Sequence, residues 1–307
     1  MYIAEFIKKM ACREKIPAIV YLILNVAIIT FVVHFMFGGT YSINYHTSYS
    51  EALDWLLTIL LSLLLYAASV AIALSPAGEW LLRAQNRCNG IIRDDYRSRL
   101  QPLFNEVYTK ARLKDPSISK NVKLYMKDVD YANAYAIGRE TICITKGLLN
   151  ADGNTIKGVL AHEFGHLSHK DTDLIQVISV GNLFITIISF FIRIIFAIAG
   201  FFIAFVGVMM GRDEALQGIE MGSIMFLIPN TIISVFMWLW TRLGILLMMS
   251  ASRNEEYAAD AFAKEIGYGD ALCSFLSFRT SGKEQGLFAA LSSSHPSNSS
   301  RLARLKA

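Results

Sequence analysis

Two stretches of this chain, Pro17 to Phe37 and Trp55 to Ser75, run without a single Asp, Glu, Lys or Arg. Each is about the 20 residues that an α-helix needs to cross the hydrocarbon of a bilayer. Two longer apolar runs follow, Leu174 to Met210 and Gly222 to Met249, each interrupted by one arginine, Arg193 and Arg242. The chain as a whole is 54% hydrophobic with a mean hydropathy of +0.41, more apolar than soluble domains, where roughly 45–50% is usual with glycine included. These runs predict a multi-pass membrane protein embedded in a lipid bilayer. A secretory signal explains the first run less well, because the run is too long and no small-x-small cleavage site follows it before the second.

Basic residues set the orientation. Lys8, Lys9, Arg13 and Lys15 precede the first run, none lies between Gly38 and Asp54, and Arg83, Arg87, Arg93, Arg97 and Arg99 follow the second. Basic flanks stay on the cytoplasmic side, so the expected organisation alternates across the membrane. Residues 1–16 form a cytoplasmic N-terminus, 17–37 a first transmembrane helix, 38–54 an external loop, 55–75 a second transmembrane helix, and 76–173 a cytoplasmic region. Residues 174–250 then form a membrane hairpin, and 251–307 return to the cytoplasm. If Arg193 and Arg242 snorkel to the cytoplasmic interface, the hairpin spans shorten to about 194–210 and 222–241, with helical extensions below. The polar turn Gly211-Arg212-Asp213-Glu214 separates them.

The formal net charge of +4 is largely this flanking asymmetry, and no basic patch calls for a nucleic-acid partner. Cys12, Cys88, Cys143 and Cys273 stand far apart without Cys-x-x-Cys spacing. They read as reduced thiols acting as small buried hydrophobes.

The chemistry lies in Ala161-His162-Glu163-Phe164-Gly165-His166. Residues four apart share a helix face, so His162 and His166 can both aim a ring nitrogen at one metal ion while Glu163 reaches its water. A helix is expected here, capped by Asn154, apolar at Ile156, Val159, Leu160, Phe164 and Leu167, and ending near His169 and Lys170. Catalytic zinc takes three protein ligands and leaves one position open. The extended motif with a third histidine fails, since His169 and Thr172 stand where Gly and His belong. A glutamate from a later helix is the other common solution. In Ser252-Arg253-Asn254-Glu255-Glu256-Tyr257-Ala258-Ala259-Asp260, Glu256 is favoured over Glu255, because Asp260 lies one turn beyond it and can fix the tautomer of a ligating histidine. Thr141 to Thr145 reads as a short strand, either an edge that pairs with extended substrate or an ordinary core strand.

Four blocks in this order resemble the HtpX-type membrane zinc metalloproteases, relatives of the CAAX prenyl proteases. They are Asn133-Ala134-Tyr135-Ala136-Ile137-Gly138 with Ile142 to Leu149, the His162-Glu163-x-x-His166 helix, Glu256-x-x-x-Asp260, and His295-Pro296 with Arg301. The resemblance implies a mainly α integral membrane protein with about four transmembrane helices and a discontinuous cytoplasmic zincin-like, gluzincin catalytic domain containing a small β-sheet. It implies one Zn2+ per chain, held by His162, His166 and Glu256, with Asp260 behind them and Glu163 as general base. Asn133, Ala134, Tyr135 and Ala136 become the substrate-binding edge, with Tyr135 where many relatives have Phe. His295 and Arg301 become groups that stabilise the oxyanion. The implied substrates are damaged or misassembled membrane proteins and unfolded polypeptides, with self-cleavage, in stress-linked quality control at a bacterial inner membrane. A scaffold that had lost catalysis would be expected to lack a ligand or the base, and all four residues are present. An intramembrane site conflicts with Lys157, His169, Lys170 and Asp171 flanking the motif.

Overall fold

The computed structural model describes residues 16–35, 48–181, 183–278 and 298–306. Its contacts divide the chain into two units, one of residues 1–20, 64–181 and 247–307, the other of 21–63 and 182–246.

The second unit holds most of the apolar helices. These are α1 (Ile16–Val33), α2 (Ser48–Ala73, whose last turns belong to the first unit), α7 (Leu183–Met210) and the first part of α8 (Arg212–Glu265). Three segments are long and apolar enough to cross a membrane, Glu51–Ala73, Ile185–Met210 and Glu214–Gly244, with a shorter apolar helix at Ile19–Val33. Of the four expected spans, three therefore meet the length criterion among the described residues; residues 1–15 and 36–47 lie outside them. The α7–α8 hairpin turns at Gly211, whose φ of 135° suits glycine. Its helices approach closely where Gly200 meets Gly222 and Gly207 meets Gly218; a Cβ on Gly207 would come within 2.6 Å of the Gly218 Cα.

Arg193 is bonded to the facing helix of the hairpin. Its guanidinium bonds Asn230, and Nη2 donates to Ser234 Oγ at 3.0 Å. The apolar segment Ile185–Met210 accordingly runs through it. Polar partners on the facing helix hold the cation within the hairpin.

In the first unit, four strands form one sheet in the order β1-β2-β4-β3. They are β1 (Asn89–Gly90), β2 (Lys123–Lys127), β3 (Ala134–Ile137) and β4 (Thr141–Thr145). β4 pairs parallel with β2 and antiparallel with β3. Thr141–Thr145 is thus a central strand, buried throughout, and of the two readings of that segment the core strand is the one observed. The edge is β3. Ala134, Ala136, Ile142 and Ile144 point into the core, against α4 (Asp94–Lys114) and α5 (Gly153–His169). Strand alternation sends Tyr135 and Cys143 to the opposite face.

α5 is the centre of this core. Ile156, Leu160 and Phe164 are fully buried, and Phe164 packs tilted against Phe104 and stacked on Tyr108 of α4 at ring-centroid distances of 5.5 and 5.6 Å. The helix starts two residues earlier than Asn154 suggests. Asp152 is the cap, its Oδ1 accepting from the N–H groups of Asn154 and Thr155 at 2.9 and 3.0 Å. An Asp cap also carries charge that complements the helix dipole. At the other end Lys170 takes the left-handed conformation, φ 56°. The chain turns sharply there into α6 (Asp171–Gly181).

Two glycines on α5 let other helices touch its backbone. A Cβ on Gly158 would lie 2.5 Å from Leu272 N of α9 (Gly269–Phe278), and one on Gly165 would lie 2.7 Å from the Ala259 Cα of α8. Seven residues apart, they mark one helix face. The second contact sets α8 one turn from the histidines.

Candidate metal centre

His162, His166 and Glu256 meet at one point. The Nε2 atoms of His162 and His166 are 3.2 Å apart. Glu256 lies 3.4 Å from the first through Oε2 and 3.3 Å from the second through Oε1. Ligand atoms bound at roughly 2.0–2.1 Å on a tetrahedron lie about 3.3–3.4 Å from each other; with one atom taken from each residue the three donors lie within 4.8 Å of one another, close enough to share one ion after small side-chain adjustment.

Each histidine has a carboxylate behind it. Asp260 Oδ1 is 2.9 Å from His162 Nδ1, and Asp171 Oδ2 is 3.4 Å from His166 Nδ1. Such partners fix the tautomer and leave Nε2 for the ion. The sequence reading names Asp260 and misses Asp171. The signal available was a carboxylate five residues past His166, but only the left-handed turn at Lys170 brings it back.

Arg301, on α10 (Asn298–Lys306), is buried against this group. It donates to both oxygens of Asp260, at 2.8 and 2.6 Å, and its Nη1 lies 3.3 Å from Glu256 Oε2. Nη2 stands 3.3 Å from the ring nitrogens of His162. Its strongest contacts are therefore with the carboxylates that hold the ligands, in addition to the cleft it lines. His295 lies outside the described residues.

Burial alone would raise the Asp260 pKa, but its bonds to Arg301 and His162 win and hold it below the usual value. Burial opposes charge on His166, yet the Glu256 carboxylate, then Asp171 and Glu163, outweigh it and hold its pKa well above the ordinary histidine value. A site that favours a proton this strongly is negative enough to favour a metal cation in its place.

Glu163 is buried, and its Oε2 accepts the Ala136 N–H at 2.8 Å. That bond follows from the register. Asn133 bonds toward β4, its C=O accepting from Thr145 N at 2.9 Å. In an antiparallel pair Ala134 and Ala136 then turn their N–H and C=O outward. Asn133, Ala134, His162, Glu163 and Arg301 line a narrow cleft of about 20 Å³, room for about one water. Tyr135 is placed apart from them, its hydroxyl 3.0 Å from Cys88 Sγ on the other face of the sheet. Burial, with the neighbouring Cys143 and Cys88, pushes that phenol pKa well up.

The sequence of residues 96–307 matches Peptidase family M48. The chain belongs to that family. Its HtpX-type character, read from the blocks between Asn133 and Arg301, is borne out by its curated relatives. A "Protease HtpX homolog" of Acidiphilium cryptum is 31% identical over 173 residues, 55% of this chain and 50% of that protein. One from Thermoanaerobacter pseudethanolicus is 28% identical over 175 residues, 53% and 50%. "Protease HtpX" of Hahella chejuensis is 27% identical over 256 residues, 75% and 79%. The chain spans about half the length of several of the curated relatives it matches. The crystal structure of S. mikatae Ste24p aligns with 92% of this chain and 66% of its own at 20% identity and a TM-score of 0.40. The chain thus combines M48 membership with three helices long and apolar enough to cross a membrane.

Proposed function

We propose that this M48 chain is a zinc-dependent endopeptidase that cuts damaged or misassembled membrane proteins at the cytoplasmic face of a bacterial inner membrane, and also cuts itself. The observation that carries the reading is the set of three donors within 4.8 Å of one another, with Glu163 beside them and an edge strand at its carboxylate. A zinc ion held by His162, His166 and Glu256 would supply Lewis acidity to a scissile carbonyl and a more acidic water.

The remaining work falls to side chains and backbone. Ala134 offers outward N–H and C=O groups to an extended polypeptide, and Asn133 stands next to it to hold backbone amides. Glu163, oriented by the Ala136 N–H, takes a proton from the attacking water and delivers it to the leaving amine. Arg301, and His295 with it, supplies positive charge or donors toward the oxyanion. Asp260 and Asp171 keep both imidazoles turned. The basic residues after α2 support a cytoplasmic location.

The test is Glu163→Gln. The variant should retain zinc and stop cleaving a membrane-protein substrate, and itself, in proteoliposomes. Wild-type cleavage by the variant would refute the mechanism.

A further inference from the structure

Arg193 lies well inside the α7–α8 hairpin. At about 1.5 Å per residue it stands about 12 Å from the nearer end of the apolar segment Ile185–Met210, and its partners Asn230 and Ser234 stand about 15 Å or more from either end of Glu214–Gly244. A hairpin that crosses a bilayer with these segments carries the guanidinium within the hydrocarbon, which is about 30 Å thick.

The chain gives that cation hydrogen bonds but no counter-charge. Asn230 and Ser234 are neutral and take two of the five guanidinium N–H groups, which leaves three. Arg193 makes no ion pair among the described residues. The sequence gives the reason: no Asp or Glu occurs in residues 17–37, 55–75, 183–210 or 221–249. Glu220 is about 15 Å along α8 from Asn230. Glu79, the first carboxylate after the second run, belongs to α3 (Pro76–Gln85) and is engaged there, accepting the Thr141 hydroxyl at 2.5 Å and the Arg139 N–H at 3.1 Å. A second copy of this chain has the same runs and supplies no acid at this level either. Arg242, the other arginine of the hairpin, differs in having the Trp238 ring beneath it, at 5.5 Å.

The surface around Arg193 is open. The arginine itself is half-buried and Ser234 is exposed. One turn away on each helix, Phe190 and Leu227 are 59% and 55% exposed. Charges within a membrane pair with one another, and a carboxylate matches two N–H groups of the guanidinium fork at once. What brings a carboxylate to this depth is another membrane helix.

We propose that the face of the hairpin around Arg193 binds a transmembrane helix of another protein that carries an Asp or Glu within its apolar stretch. A membrane protein left without its assembly partner exposes such a residue, so this face selects unassembled subunits as substrates. That last step rests on the endopeptidase reading above; the binding rests on the hairpin crossing the bilayer.

The experiment places the full chain carrying Glu163→Gln and a donor dye in phosphatidylcholine bilayers, with a leucine-rich spanning peptide that has a central Glu and an acceptor dye. Energy transfer reads the binding. Exchanging the peptide's Glu for Gln should weaken binding about tenfold, and this comparison needs no change in the protein. Arg193→Gln should abolish the preference for the Glu peptide, and Arg193→Glu should transfer it to a peptide with a central Lys. Arg242→Gln should leave it as it is. Equal binding of the Glu and Gln peptides, or a preference that survives Arg193→Gln, would overturn the proposal. So would loss of the preference on adding phosphatidylglycerol, which would make a lipid phosphate the partner of Arg193. Cleavage of the peptide, followed on a gel of the same sample, reports on the role of Glu163 and not on this face.

Discussion

Gly165→Ala is the most demanding test of how the centre is assembled. In most helix interiors this exchange stabilises, by about 0.8–1.0 kcal/mol of helix propensity. Here the sign reverses. The new Cβ would sit 2.7 Å from the Ala259 Cα and 2.9 Å from its carbonyl oxygen, against about 3.5–4.0 Å for an ordinary carbon contact. The two backbones must part by roughly 0.8 Å to restore that contact. One carries His162 and His166, the other Glu256, and ligand distances tolerate only about ±0.2 Å. Overpacking of this kind costs about 1–3 kcal/mol; carried wholly by the site, that weakens metal binding about 5- to 150-fold. The assay is chelator competition for zinc on purified protein. Gly153→Ala serves as the control, since its Cβ meets only Leu103, at 3.5 Å, and it should bind zinc as the wild type does. A Gly165→Ala variant with wild-type affinity would refute the view that this close approach sets the donor geometry.

Asp260→Asn should lower zinc affinity about 10- to 100-fold by releasing His162 and leaving Arg301 without its carboxylate; the same competition assay would contradict this by returning an unchanged affinity. Asp115, which follows α4, accepts the Ser168 hydroxyl of α5 at 2.5 Å. Burial works to raise its pKa, but that bond and the Ser117 N–H prevail and hold it low. A depressed carboxylate adds stability that is complete above the unfolded value of about 3.9 and is lost as pH falls through the folded one. Chemical denaturation should therefore find Ser168→Ala less stable than wild type at neutral pH, with the gap closing in acid; a gap that widens in acid would contradict it.

The donors were readable because helix spacing is local information. His162 and His166 lie four apart, and Asp260 follows Glu256 by the same interval, so their common faces can be derived without a fold. Asp171 was not readable in that way, because its return to His166 depends on one left-handed residue, Lys170. Strand order is less local still. Nothing in Thr141 to Thr145 tells a central strand from an edge, and the answer comes from β2, which pairs with it from eighteen residues away. Arg193 shows the same limit in an apolar helix. Its charge announces a problem, while its solution, Asn230 and Ser234, lies on the partner helix.

The Gly165–Ala259 contact joins segments that are made at different times. At a synthesis rate of about 5–20 residues per second, His166 precedes Glu256 by roughly 5–20 s. During that interval a nascent chain has two histidines and a glutamate but no third donor. A product stalled before Glu256 therefore lacks one of the three donors of the centre. Synthesis of α8 thus acts as an interlock on assembly of the donor set.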